Sequence, residues 1–97
     1  MSDLYKLYKS TNIKKKYDVW VNNPTTGRVK KVSFGASGYE DYTTHKDKSR
    51  RDRYRVRHAH DNLNDITSPG FWSWHILWGK TTNAIDNLRI IRKKILI

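Results

Sequence analysis

The sequence predicts a small α+β fold: a single domain in which a β-hairpin packs with a basic helix and a short Trp-rich helix, preceded by an extended N-terminal arm. Residues 17–34 alternate apolar and polar side chains on both sides of a turn, which is typical of two antiparallel strands. Residues 44–60 lack Gly and Pro and contain seven basic residues, and residues 70–79 hold three of the four tryptophans. A chain of 97 residues can bury one modest core.

The first 16 residues are predicted to be a basic arm. They carry five Lys and one Asp, and they show no clear hydrophobic period. The arm is expected to order mainly when it meets a partner, with Lys14, Lys15 and Lys16 as candidate binding residues. Its apolar residues could form one short amphipathic turn, which contains Leu4, Tyr5, Leu7 and Tyr8.

The core domain is predicted to span residues 17–80 and to begin with the hairpin. One face of the first strand carries Tyr17, Val19 and Val21. Val32 and Phe34 share a face of the return strand, and Pro24 and Gly27 suit the turn between the strands. Two strands alone are seldom stable in water, so the hairpin needs a third strand, a helix or a neighbouring chain.

A short extended piece at 39–42 is predicted to lead into the basic helix over residues 44–60. Thr44 and Asp47 have the spacing of a capping box, with Asp in place of the usual Glu or Gln. One face of this helix carries the candidate binding residues Lys46, Arg50, Arg53 and Arg57. A second face carries Arg51, Arg55 and His58. Apolar residues are few, so the helix cannot be deeply buried.

The Trp-rich helix is predicted to begin with Ser68 as N-cap and Pro69 at its first position, and to end at Gly79. It is apolar nearly all round, so the main interpretation is that it forms the core. A second interpretation leaves one side for a partner protein, with aromatic anchors at Trp20, Phe71, Trp72, Trp74 and Trp78. In a third interpretation, Trp72 or Trp74 stacks on nucleobases.

Residues 81–97 are predicted to form an amphipathic C-terminal helix or tail. Thr82 or Asn83 could start a helix whose apolar stripe contains Ala84, Leu88, Ile91 and Ile95. A terminal strand over residues 90–97 is the alternative. The candidate binding residues here are Arg92, Lys93 and Lys94.

The strongest compositional feature is a formal net charge of +11. Three segments carry it, at residues 1–16, 43–60 and 89–97, whereas the two stretches between them are close to neutral. A surface of this kind attracts nucleic acid, acidic protein faces or anionic lipid. Arginine is suited to bidentate bonds with phosphate or carboxylate, which favours the basic helix as a binding element.

Several function classes lack support in the sequence. There is no cysteine, which excludes disulfides and thiolate zinc sites, and no secretory signal or apolar run of transmembrane length is visible. The pattern contains no known nucleic-acid-reading motif and no glycine-rich phosphate loop. A nuclease hypothesis remains, with His58 or His60 beside Asp61 or Asp65. We expect no enzyme, no metal, no cofactor and no small-molecule substrate.

About half of the chain resembles a small family of uncharacterised basic proteins from nucleocytoplasmic large DNA viruses, the giant viruses of algae and protists. The first part of the resemblance is carried by Val32, Phe34, Gly35, Tyr39, Asp41, Tyr42, Thr43, His45, Lys46 and Asp47. The second part is carried by Arg51, Tyr54, Arg57, His58, Gly70, Phe71, Trp72, Ser73, Leu77 and Trp78. The resemblance implies a viral origin and a virion or replication-factory setting, and it supplies no catalytic residues.

The resulting functional expectation is a small structural protein of a large DNA virus particle, either a minor capsid or an internal virion component. Its cationic arms and Arg-rich helix would bind larger capsid or virion proteins, with assembly in the host cytoplasm or nucleus. The alternative is a non-specific DNA-binding or genome-condensing protein, and a nuclease comes third.

Overall fold

The protein folds as a three-stranded antiparallel sheet with helices packed against one of its faces, which confirms the predicted α+β class. A computed structural model describes residues 4–60 and 63–95. The strands are β1 (Leu7–Lys9), β2 (Lys15–Asn22) and β3 (Val29–Ala36). The helices are α1 (Tyr42–His45), α2 (Lys48–Arg57), α3 (Pro69–Trp72), which continues as a π-helical turn (Ser73–Leu77), and α4 (Ala84–Ile95). We refer to residues 69–77 together as the tryptophan helix.

The predicted hairpin is confirmed, and so is the face predicted for each of its strands. Val19 pairs with Val32, and Tyr17 pairs with Phe34. Because side chains alternate along a strand, these pairs share the face that meets the helices, where Val19 and Phe34 have no exposed surface. Gly27 ends the turn with φ of 74°, a conformation that favours glycine.

The predicted N-terminal arm is corrected by the structure, because its described residues belong to the sheet. Residues 7–9 form β1, in which Leu7 pairs with Val19, and Lys15 and Lys16 already lie in β2. Tyr5 is buried and its backbone N–H donates to the carbonyl oxygen of Trp20 at 2.8 Å. The chain itself therefore supplies the third strand that the hairpin needs. A strand of three residues is too short for its period to be recognised in the sequence.

The tryptophan helix supplies the core, as the main interpretation of its sequence holds. Phe71, Trp72, Ile76 and Leu77 are buried, and Trp72 has no exposed surface. The Trp72 indole Nε1 donates to the carbonyl oxygen of Ile66 at 2.7 Å, so its one polar atom is satisfied. Trp74 and Trp78 are only half-buried and lie at the margin of this core.

The predicted basic helix begins later than expected, and its predicted cap is wrong. Asp41 caps α1 and forms a capping box with Thr44, so Tyr42 is helical and not extended. Lys46 then adopts φ of 58°, which ends α1 after a single turn. Asp47 caps α2 by accepting from the N–H groups of the next turn. The spacing of Thr44 and Asp47 therefore reflects two successive helix caps: Thr44 belongs to the capping box of α1, and Asp47 caps α2.

The C-terminal segment is helical, so the strand alternative is wrong for its described residues. Asn83 accepts hydrogen bonds from the N–H groups of Ile85 and Asp86, as predicted for a cap. The predicted stripe faces the core through buried Leu88 and Ile91. In the described ranges, no helix combines the length and the apolar character needed to cross a membrane.

The predicted C-cap role of Gly79 is also corrected. Its φ is not positive; Trp78 ends the π-helical turn. Glycine is needed at 79 because a Cβ there would lie 2.2 Å from the carbonyl oxygen of His75 and 2.9 Å from Cγ of Asn87. Asn87 is buried and donates to the carbonyl oxygen of Ile76 at 2.8 Å, so α4 packs tightly on this point.

The titration of His75 makes the free energy of unfolding depend on pH. Burial, together with the nearby charges of Arg55 and Lys94, lowers the pKa of its imidazole from the ordinary 6.5 to about 4, although a hydrogen bond with the Leu63 backbone opposes the shift. The unfolded chain therefore binds this proton more tightly than the folded chain. The contribution of neutral His75 to the stability of the fold is fully present above pH 6.5, and it is lost as the pH falls towards 4.

We expect the free energy of unfolding to decrease by about 1–2 kcal/mol between pH 6.5 and pH 4, after an allowance for the solvent that reaches the ring. Urea denaturation over this pH range measures the slope. The variant His75→Gln is the control, because the other histidines are common to both proteins. An equal slope in the variant would contradict this assignment.

Candidate functional site

The inner face of α2, which carries Arg51 and Arg55, packs against the rest of the fold. Arg55 donates from Nε to the carbonyl oxygen of Trp78 at 2.9 Å, and Arg51 donates from Nη1 to that of Gly79 at 3.3 Å. These carbonyls follow the last turn of the tryptophan helix, where backbone acceptors lack intrahelical donors and cations are favoured. Arg51 and Arg55, which the sequence offers as binding residues, therefore stabilise the fold.

Aromatic rings strengthen the same contact. Tyr54 stacks on Trp78 with ring centroids 4.3 Å apart and planes 5° apart, and His58 stacks on Tyr54 at 4.1 Å. The guanidinium of Arg55 lies over the Trp74 ring, 4.7 Å from its centroid. Pairs of this kind contribute about 0.5–1.5 kcal/mol each beyond the area they bury. Trp74 and Trp78 thus anchor α2 within the fold.

The outer face of α2 is exposed and cationic. Arg50 forms an ion pair with Glu40, at 2.9 Å between Nη1 and Oε2, and both side chains are largely exposed. The side chains of Arg53 and Arg57 are exposed and form no ion pair or hydrogen bond with any other described residue. Lys46, at the junction of α1 and α2, is exposed as well. The helical pattern correctly separates this face from the inner one.

A cleft of about 460 Å³ lies between α2, the start of the tryptophan helix and the end of the sheet. Its cationic lining comes from Lys15, Lys16, Arg50 and Arg57. Its aromatic lining comes from Tyr39, Tyr54 and Trp78, with His58 beside them. Two carboxylates, those of Glu40 and Asp41, complete the wall. The cleft thus combines positive charge with apolar rings.

The charged side chains of the cleft differ in how strongly they are bound to neighbouring residues. Asp41 is 2% exposed, caps α1, and accepts from Nζ of Lys16 at 2.5 Å, so this pair joins the sheet to α1. The Arg50–Glu40 pair is at the surface, where such pairs contribute at most about 1 kcal/mol. Lys15 is exposed at the start of β2. Lys15, Arg50 and Arg57 are therefore available to an incoming acidic group.

The remaining predicted residues lie elsewhere. Trp20 is on the sheet face opposite the core and is 39% exposed. Lys14 is exposed before β2, and Lys93 and Lys94 are exposed in the last turns of α4. Arg92 is half-buried in the same turns. The predicted cations therefore do not form one continuous site.

Sequence reasoning missed Asp41, Glu40 and Tyr39 as parts of the cleft. The pair Asp41 and Thr44 has capping-box spacing in the sequence, and this signal could have placed Asp41 at a helix start. Glu40 and Tyr39 carry no comparable local signal, because only the fold brings them opposite α2.

The described residues do not test the nuclease hypothesis, which stays a prediction. No group of three or more His, Asp or Glu side chains able to hold a metal ion occurs among them. Asp65 accepts from the N–H and hydroxyl groups of Thr67, so it organises its own turn. Asp61, the other candidate carboxylate, lies outside the described residues.

Comparison with known protein families identifies the family of this chain. A model of the family of unknown function DUF5754 matches residues 5–58, which is more than half of the chain. The chain belongs to this family. The matched span contains the sheet, α1 and α2, and so it includes the cationic lining of the cleft. No curated protein and no solved structure matches the chain.

The division of α2 into two faces predicts different effects for two arginines. We expect Arg55→Ala to lower the free energy of unfolding by about 1–2 kcal/mol, because it leaves the Trp78 carbonyl without its donor and removes the cation–π contact. Arg53→Ala should change it by less than about 0.5 kcal/mol. Both variants remove one guanidinium from the same helix, so chemical denaturation compares them directly. Equal losses would show that the two faces are not distinct.

Proposed function

We propose that this protein is a small structural component of a large DNA virus particle, and that it binds an acidic segment of a larger capsid or virion protein. The viral setting comes from the sequence resemblance. The binding role is supported by one observation, the cleft that arginine and lysine side chains line together with the exposed ring of Tyr39 and the half-buried rings of Tyr54 and Trp78. The ion pair of Arg50 with Glu40 illustrates the contact that a partner carboxylate would make.

The lining of the cleft favours a protein over a phosphate chain. Tyr, Trp and Arg are enriched at the centres of protein–protein interfaces, and all three occur here, as Tyr54, Trp78 and Arg57. A peptide that carries both carboxylates and apolar side chains fits this combination.

The net charge supports the same role through the rate of association. A formal charge of +11 attracts an acidic surface over several ångströms and raises the encounter rate. The cleft then fixes the orientation through short contacts. Long-range attraction thus comes from the charge of the whole surface, and orientation comes from the cleft.

The partner can be identified by carbodiimide cross-linking of intact particles, which joins lysine amines to nearby carboxylates. We expect Lys15 to be linked to an acidic segment of a larger virion protein. We then expect Arg57→Glu to weaken binding to that protein by about 10-fold or more. The matched control Arg89→Glu changes the net charge equally on the exposed side of α4 and should have a much smaller effect. If cross-links never reach another virion protein, the proposal fails.

Duplex DNA is the second candidate partner, favoured by the exposed side chains of Arg53 and Arg57 on the outer face of α2, which form no ion pair with another described residue. For DNA binding, the logarithm of the binding constant should fall with the logarithm of salt concentration, with a slope of about −0.9 per phosphate contact. Fluorescence anisotropy with a labelled duplex measures this slope. The absence of binding at low salt would remove the candidate.

A further inference from the structure

The second face of the sheet has a composition unlike that of the core face. On the core face, Val19 and Phe34 have no exposed surface. On the other face, Tyr8 and Trp20 are each 39% exposed. Aromatic rings on an open antiparallel sheet are the arrangement on which single-stranded nucleic acids stack their bases.

The strand register places the two rings near each other. Tyr8 pairs with Asp18, and Trp20 lies two residues further along β2 on the same face. Diagonal neighbours of this kind are about 7–8 Å apart, within reach of aromatic side chains. Two adjacent bases can therefore each meet one ring.

The charge around these rings favours a polyanion. Residues 5–36 contain eight basic residues and one acidic residue, Asp18. Lys31 pairs across the strands with Trp20, and Lys6 and Lys9 are exposed at and beside β1. These ammonium groups can contact the phosphates that connect stacked bases.

Asp18 offsets only one of these charges, because its carboxylate is buried and lies 3.9 Å from Nζ of Lys31. It is 3% exposed and accepts from the hydroxyls of Ser33 at 2.6 Å and Ser10 at 2.7 Å. Burial opposes its ionisation, but these hydrogen bonds, with one from the Thr11 backbone and the charge of Lys31, hold the pKa of Asp18 below its ordinary value. What the face presents to solvent is therefore aromatic and cationic.

We propose that Trp20 and Tyr8 form a stacking platform for unpaired bases of single-stranded nucleic acid, with Lys31 and the lysines near β1 on its phosphates. A second copy of the chain is a poor occupant, since it would bring like charge against like charge. A duplex is also a poor occupant, because its base faces are covered. The earlier stacking candidate Trp72 is excluded by its complete burial. This platform is separate from the cleft and does not depend on the function proposed for it.

The test uses the full chain and a labelled oligothymidylate of about 12 nucleotides, a length within the range that one small binding module occupies. We expect Trp20→Ala to weaken binding about 10-fold, the loss typical of one stacked base, and Trp20→Phe to retain most of the affinity. Affinity for a duplex of the same length should be unchanged in both variants. Since Trp20 lies outside the core, circular dichroism should show that each variant remains folded.

Tryptophan fluorescence gives a second readout. Stacked thymines should quench the emission of the wild-type protein, and Trp20→Phe should lose the largest part of this quenching. The proposal is overturned if Trp20→Ala binds the single strand as tightly as the wild type. It is also overturned if the loss is equal for single strand and duplex, because the ring would then contribute only to general binding.

Discussion

The arrangement of this small protein depends on the contact between α2 and the end of the tryptophan helix. Two guanidinium groups, from Arg51 and Arg55, bond to the carbonyls of Trp78 and Gly79, and the ring of Tyr54 lies flat on Trp78. A helix with no buried residue could not otherwise keep a fixed position. This contact decides which arginines are structural and which face outwards, and it forms one wall of the cleft.

A second constraint is the small amount of apolar material, since only 36% of the residues are hydrophobic. A few large rings compensate, because an aromatic side chain buries more area than an aliphatic one. Trp72 and Phe34 lie at the centre of the core, Trp78 extends it towards α2, and Trp74 contacts Arg55 of α2. The aromatic residues that remain exposed are thus concentrated at the cleft and on the open sheet face.

The sequence predicts the elements whose signals are periodic or local. The hairpin, the Ser68 cap and the stripe of α4 are of this kind, and so are the two faces of α2. Strand β1 was missed because three residues show no measurable period, and the break at Lys46 was missed because lysine seldom adopts a left-handed conformation. The cleft could not be foreseen, since Lys16 and Asp41 meet across 25 positions of the chain. Nor does a helical pattern reveal that Arg51 and Arg55 donate to distant carbonyls.

The strand order β1-β2-β3 leaves two strand edges unpaired within the described sheet. Unpaired edges are where separate chains join into aggregates. Here β1 is only three residues long, and β3 carries adjacent lysines, Lys30 and Lys31, both features that discourage edge-to-edge pairing. A rise in the concentration of the free protein is therefore not expected to drive aggregation through the edges of this sheet.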